Sequence, residues 1–209
     1  MRRAMIDSQL RTSGVNEPWI IAAMGAVPRE QFVGSGQMAT AYMDRAIPLG
    51  TGRALNPPLT AGLMLGAAAL RGDDNVLLIG AATGYLARLI APRVATLCAV
   101  EQSTDLLARA RHNLSAIAGV QLIEGLLSEG NAQAAPYSVI IIDGAIAEIP
   151  DSVAAQLAEG GRVVTGLVDG AVSRLAIGYK RSGSIVLRAI TDCEVAPLEG
   201  FALVKEFVF

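Results

Sequence analysis

The chain has 209 residues, 52% hydrophobic and 17% charged, with a formal net charge of −2. This composition supports one domain with a large core and excludes global disorder. The near balance of charge excludes an electrostatic case for nucleic acid or an anionic membrane as partner, and Arg2-Arg3 is too short a basic run to restore one.

In chain order, helices are predicted over 4–13 and 17–26, with Pro18 early in the second, where proline is tolerated. Val27-Pro28-Arg29 ends that helix. Residues 30–58 are rich in Gly and Pro and read as an ordered loop region, anchored by Phe32, Val33, Tyr42, Ile47 and Leu49. Long ordered loops in compact domains are often binding loops. A helix of small and apolar residues follows over 59–70, then a turn at Gly72-Asp73-Asp74-Asn75. From there the pattern alternates: strand 76–80, helix 84–92, strand 95–100, helix 103–116, strands 120–124 and 138–143, helix 151–158, strand 161–166. Strands 76–80 and 138–143 are almost wholly apolar, as expected when helices cover both faces of a parallel sheet. Residues 173–180 and 184–191 alternate like a hairpin about Ser182-Gly183, and 201–208 reads as a last strand.

The fold class implied is α/β: a doubly wound, mostly parallel sheet with an antiparallel C-terminal edge and an N-terminal helical extension. Residues 1–58 are expected as N-terminal helices and a substrate-loop region packed on a Rossmann-like core of residues 59–209. Together they form one compact domain.

Ligands of open α/β sheets bind at the carboxyl ends of the strands, near the switch in strand order. The first such end here is Gly80-Ala81-Ala82-Thr83-Gly84-Tyr85, and Glu101 follows 21 residues after Gly80, at the end of the next strand. Glycines let backbone approach a ligand, and a carboxylate at that place can accept both hydroxyls of a ribose. Dinucleotide enzymes and S-adenosylmethionine enzymes share that arrangement. Gly80-x-x-x-Gly84 lacks the middle glycine that admits a pyrophosphate, which favours a ligand without phosphate.

Beyond the pocket, Met5-Ile6-Asp7-Ser8-Gln9-Leu10-Arg11, Gly14-Val15, Ala23-Met24, Val27-Pro28-Arg29, Phe32-Val33, Ala41-Tyr42-Met43-Asp44 and Ile47-Pro48-Leu49-Gly50 occur in this order. So do Val76–Tyr85, Glu101, Ile140–Pro150 and Gly160-Gly161-Arg162-Val163. Over about residues 4–165 the chain resembles the protein-L-isoaspartate O-methyltransferases. The resemblance implies a class I methyltransferase fold, S-adenosylmethionine as cofactor, and methyl esterification of isoaspartyl carboxylates in damaged proteins. It implies a cofactor site at Gly80–Tyr85, Glu101, Gln102, Gly125, Leu126, Asp143 and Gly144. It implies a substrate loop at Leu55, Asn56, Pro57 and Pro58.

The departures from the family pattern fall in those places. The family's Thr-Ile-Ser-Gln-Pro-like segment is here Ala54-Leu55-Asn56-Pro57-Pro58, so Asn56 takes the place of a serine near the substrate carboxylate and is the candidate catalytic residue. Leu78 replaces an acid that supports the cofactor's methionine end, and Gly125-Leu126-Leu127 aligns with a Gly-Asp-Gly whose acid contacts the adenine amine. Each loss of a hydrogen-bonding acid removes about 1.5–3 kcal/mol of ligand binding. Asp143 stands at a strand end where the family keeps small or hydroxyl residues, placed either to reach a ligand amine or to cap a turn.

No metal is expected. His112 is the only histidine, on a helix face with Arg109 and Arg111, and no histidine–cysteine–acid cluster accompanies it. Cys98 and Cys193 read as separate buried thiols. Trp19 and Tyr42 read as packing for the N-terminal segment. No run of about 18 residues is free of charges or turn signals, and the start MRRAMIDSQLR has no apolar stretch of a secretory signal. A cytoplasmic location follows by default, with homo-oligomerisation left open by the mean hydropathy of +0.45. The alternative to an active enzyme is an impaired or repurposed member of the same family with weak cofactor binding. A nicotinamide-dependent oxidoreductase is a more distant alternative.

Overall fold

The computed structural model describes residues 1–50, 52–170 and 172–201. Helix α1 (Arg2–Met5) runs on through a π turn (Ile6–Leu10) and a 3-10 turn (Arg11–Ser13) and stops at Gly14, whose φ of +88° suits glycine. Helix α2 (Pro18–Ala26) begins at its proline. The region read as loop contains 3-10 turns (Arg29–Phe32, Ser35–Thr40) and a small hairpin that the sequence reading missed, β1 (Ile47–Gly50) with β2 (Arg53–Leu55). Two strands of four and three residues carrying Pro48 and Gly50 give no alternating pattern to read.

Helix α3 (Pro58–Ala68) precedes the main sheet. Strands β3 (Asn75–Ile79), β4 (Thr96–Glu101), β5 (Val120–Glu124), β6 (Tyr137–Ile146), β7 (Leu157–Asp169), β8 (Val172–Arg181) and β9 (Ser184–Asp192) follow. Helices α4 (Tyr85–Ile90), α5 (Thr104–Asn113) and α6 (Asp151–Gln156) connect them. Ser103 caps α5, its Oγ accepting from Leu106 N. The sheet order is β5-β4-β3-β6-β7-β8-β9. The five strands β5 to β7 in that order pair in parallel, and β8 and β9 add as antiparallel neighbours. Chain order runs outward from β3 to β5 and then restarts at β6 on the other side of β3, so the switch lies between β3 and β6.

Side-chain alternation divides the core into two faces. Val76, Leu78, Ala99, Val139 and Ile141 pack with Met5, Leu10, Ile20 and Met24 of the N-terminal segment and with Met64 and Leu65 of α3. Leu77, Ile79, Cys98, Val100, Ile140 and Ile142 pack on the opposite face with Val153 of α6. Residues from 1–58 and from 59 onward thus share one apolar cluster.

Strands β6 and β7 run longer than expected. β7 is extended by its antiparallel pairing with β8, which reaches Asp169↔Val172. In β6, Ile142 and Ala145 pair with the consecutive residues Thr165 and Gly166, so Asp143 and Gly144 are looped out of the ladder. Of the strand expected over 201–208, residues 202 onward lie outside the described residues.

Candidate functional site

The site is built at the switch. Gly80 and Ala81 both donate their N–H to Val100 O (2.9 and 3.0 Å), and Gly84 N closes the turn on Ala81 O at 2.8 Å. Gly80 and Gly84 have φ of +85° and +93°, which glycine adopts freely. Ala82, at the position of the absent middle glycine, also adopts a left-handed backbone, φ +50°. That conformation costs about 1–2 kcal/mol for alanine and is held by Ala82 N donating to Glu101 Oε2 at 2.7 Å. Thr83, fully buried, donates its hydroxyl to Phe32 O at 2.7 Å, and Asn113 Nδ2 donates to Thr83 O at 2.8 Å. Tyr85 packs edge-on to Phe32 with ring centroids 5.3 Å apart. The turn is therefore pinned from the N-terminal segment and from α5.

Glu101 is 0% exposed. Its Oε1 accepts from Gln102 N and Ser103 N, both at 3.0 Å, and its Oε2 from Ala82 N. Arg53 Nη1 bridges both oxygens at 2.8 and 2.9 Å, with both side chains buried. A Cβ on Gly80 would stand 3.0 Å from Arg53 Nη2, so this guanidinium lies directly over the glycine turn. Arg53, Glu101, Gln102, Ser103, Leu127 and Glu199 line a cavity of about 290 Å³. Gln102 is exposed, Leu126, next to the lining residue Leu127, is exposed too, and Gly125 N donates to Glu101 O at 3.2 Å.

On the other side of the turn, Asp143 Oδ1 accepts from Asn56 Nδ2 at 2.6 Å, and Asn56 Oδ1 accepts from Ala196 N at 2.8 Å. Asn56 is 2% exposed, and both ends of its amide are engaged inside the protein. Asp143 thus binds the side chain of Asn56. Burial pushes its carboxyl above the ordinary range, and the Asn56 hydrogen bond and the Arg53 and Arg29 guanidinium charges recover only part of that shift. Arg29, fully buried, donates Nε to Ala41 O at 2.7 Å and Nη2 to Asn56 O, and stands 4.8 Å over the Tyr85 ring. Pro57 precedes α3 and Pro58 is its first residue, where no backbone donor is needed.

A C-terminal strap completes the enclosure. Ala145 N donates to Ala196 O, Leu198 N donates to Ala145 O, and a Cβ on Gly144 would clash with Leu198 at 2.7 Å. Leu78 is wholly buried in the apolar cluster and offers the pocket no hydrogen bond.

The structure brings together Gly80–Tyr85, Glu101, Asp143, Gly144 and Asn56. The sequence reading missed Arg53, Arg29 and the strap. An arginine between Gly52 and Ala54 in an apolar stretch, and another inside the matched Val27-Pro28-Arg29 block, were the signals available. Cys98 is buried and Cys193 half-buried, both free, and Cys193 is thus less buried than expected. Among the described residues no three His, Cys, Asp or Glu side chains are grouped to hold a metal, and no helix is long and apolar enough to cross a membrane.

The donor set suits an adenosyl group at two points: a buried carboxylate at the end of β4, and a turn whose backbone is bare of Cβ at Gly80, whereas the bare side of Gly84 faces Leu114 in the core. The room beside Gly80 is governed by where Arg53 stands. A sheet in this order, with that turn and that carboxylate, is a class I methyltransferase fold. One solved structure that it resembles is a protein-L-isoaspartate O-methyltransferase (TM-score 0.81, 23% identity, 96% of this chain and 66% of the other). A second is a Plasmodium falciparum protein described as a protein-L-isoaspartate O-methyltransferase, solved with S-adenosyl-L-homocysteine (TM-score 0.79, 17% identity, 95% and 98%).

The chain belongs to the protein-L-isoaspartate(D-aspartate) O-methyltransferase family, which matches residues 1–201. It is 34% identical over 201 residues to protein-L-isoaspartate O-methyltransferase of Koribacter versatilis, covering 95% of this chain and 90% of that one. It is 33% identical over 205 residues to the Methanoculleus marisnigri enzyme of the same name, covering 97% and 90%. Family membership removes the nicotinamide-dependent alternative.

Proposed function

We propose that this protein transfers the methyl group of S-adenosylmethionine to the free carboxylate of isoaspartyl residues in damaged proteins. The observation that supports this most is Glu101: a fully buried carboxylate at the end of β4, oriented by the backbone of the glycine turn itself. When bound, the cofactor supplies an electrophilic methyl group on a sulfonium. Glu101 would accept the ribose hydroxyls, with the backbone of Gly80–Tyr85 beside the adenosyl group. Gln102, Gly125 and Leu126 would border the adenine end, and Asp143 and Gly144 the methionyl end.

A carboxylate is already a nucleophile at neutral pH, so the chain's work is positioning and exclusion of water. Leu55, Asn56, Pro57 and Pro58 would carry the substrate side. Asn56 has no proton to take or give in this reaction. Its amide, fixed by Asp143 and Ala196 N, holds the loop in place. A cytoplasmic place belongs to the same reading, and two free thiols accord with it.

The test is incubation with labelled S-adenosylmethionine and two peptides that differ only in an isoaspartyl or aspartyl linkage. Label entering the isoaspartyl peptide alone supports the proposal. No transfer by folded protein, while a family member run in parallel is active, contradicts it.

A further inference from the structure

We propose that Arg53 is a latch on the nucleoside end of this pocket, so that a ligand with a vicinal diol binds only by displacing its guanidinium from Glu101. The argument is a count of acceptor positions. An ionised carboxylate offers about four lone-pair sites. Glu101 already takes five hydrogen bonds, two from Arg53 Nη1 and one each from Ala82 N, Gln102 N and Ser103 N. While Arg53 is in place no site is left for a diol, and its Nη2 fills the space beside Gly80 that close approach to the turn requires.

Release need not disturb the main sheet. Arg53 follows Gly52, whose φ is +72°, on a two-stranded hairpin outside the main sheet. A second carboxylate, Glu199, lines the same cavity and is an alternative partner for the freed guanidinium. Without Arg53, Glu101 keeps three backbone donors, two on Oε1 and one on Oε2, so the carboxylate stays oriented and regains one open site, on Oε2, for a hydroxyl of the diol. A binding-competent state that is a minor fraction of the population raises the apparent Kd by the inverse of that fraction, and removing the latch removes that factor.

The proposal rests on the pocket taking an adenosyl ligand, and its test keeps the two apart. Wild type, Arg53→Gln and Arg53→Lys are titrated calorimetrically with S-adenosylhomocysteine, and each is melted with and without it. The latch predicts at least about tenfold tighter binding by Arg53→Gln, an intermediate gain for Arg53→Lys, a lower Tm for both variants alone, and a larger ligand-induced rise in Tm. Should Arg53→Gln fail to fold, the Arg53→Lys comparison decides in the same direction. Equal or weaker binding by the variants overturns the latch. If wild type still methylates an isoaspartyl peptide, the methyltransferase reading survives that loss. Tighter binding without methyl transfer by any of the three sinks the methyltransferase reading and leaves the latch. No binding by any of them overturns both.

Discussion

Asp143 and Asn56 form a pair whose chemistry follows from one irregularity of β6. Looping Asp143 and Gly144 out of the ladder carries a carboxylate into a buried position, where Asn56 meets it. Its raised pKa has a definite consequence for stability. A carboxyl that keeps its proton longer in the folded chain favours folding at low pH. It loses that contribution as pH rises from the unfolded value, about 4, through the raised folded value. Asp143→Asn keeps the size and a hydrogen-bond acceptor but cannot ionise. The unfolding free energy of the variant, measured in urea at several pH values, is expected to gain on wild type as pH rises through that window. A difference that stays constant with pH contradicts the raised pKa. At this scale Glu101 was legible because its spacing from the glycine turn is fixed by one strand–helix–strand unit. Arg53 was not, since tertiary packing brings it to Glu101 across 48 residues of sequence.

At the scale of elements, Asp74 works in the opposite sense. It lies in the turn before β3, accepts from Ser138 Oγ of β6 at 2.7 Å, and pairs with Arg162 of β7 at 2.6 Å. Arg162 also donates to Ala68 O and, at 3.0 Å, to Ala69 O, so one cluster ties the end of α3 to the turn before β3, to β6 and to β7. Burial alone would raise the Asp74 pKa, but the Ser138 and Arg162 hydrogen bonds overcome it and hold the carboxyl below its usual range. Its stabilisation is therefore present above the unfolded value and fades as pH falls through the depressed folded value. Asp74→Asn is expected to cost about 3 kcal/mol near neutral pH, from a broken buried pair, and much less in acid. Denaturation curves at neutral and acid pH test this, and an equal loss at both would contradict it. The strands around this cluster were readable because continuous apolar runs lie between Gly and Asp turns. The β1–β2 hairpin and the strap at 193–201 were not, because each is held by contacts distant in sequence.

At the scale of the whole molecule, the N-terminal segment, the β1–β2 hairpin and the C-terminal strap converge on the switch between β3 and β6. Thr83 donates to Phe32 O, Arg53 donates to Glu101, and Ala196 and Leu198 bond to Asn56 and Ala145. The family's altered positions gain a physical sense from this convergence. Leu78 adds packing, Leu126 stands exposed with no polar group to offer, and Asn56 joins a polar network closed within the protein. Under the proposed function, recognition of an adenosyl group would rest mainly on the turn and Glu101. The most direct measurement is a calorimetric titration of wild type and Glu101→Gln with S-adenosylhomocysteine. The account predicts one site per chain in wild type and at least about tenfold weaker binding in the variant, the loss of hydrogen bonds to a charged acceptor. Binding that is absent in wild type, or unchanged in Glu101→Gln, would contradict it.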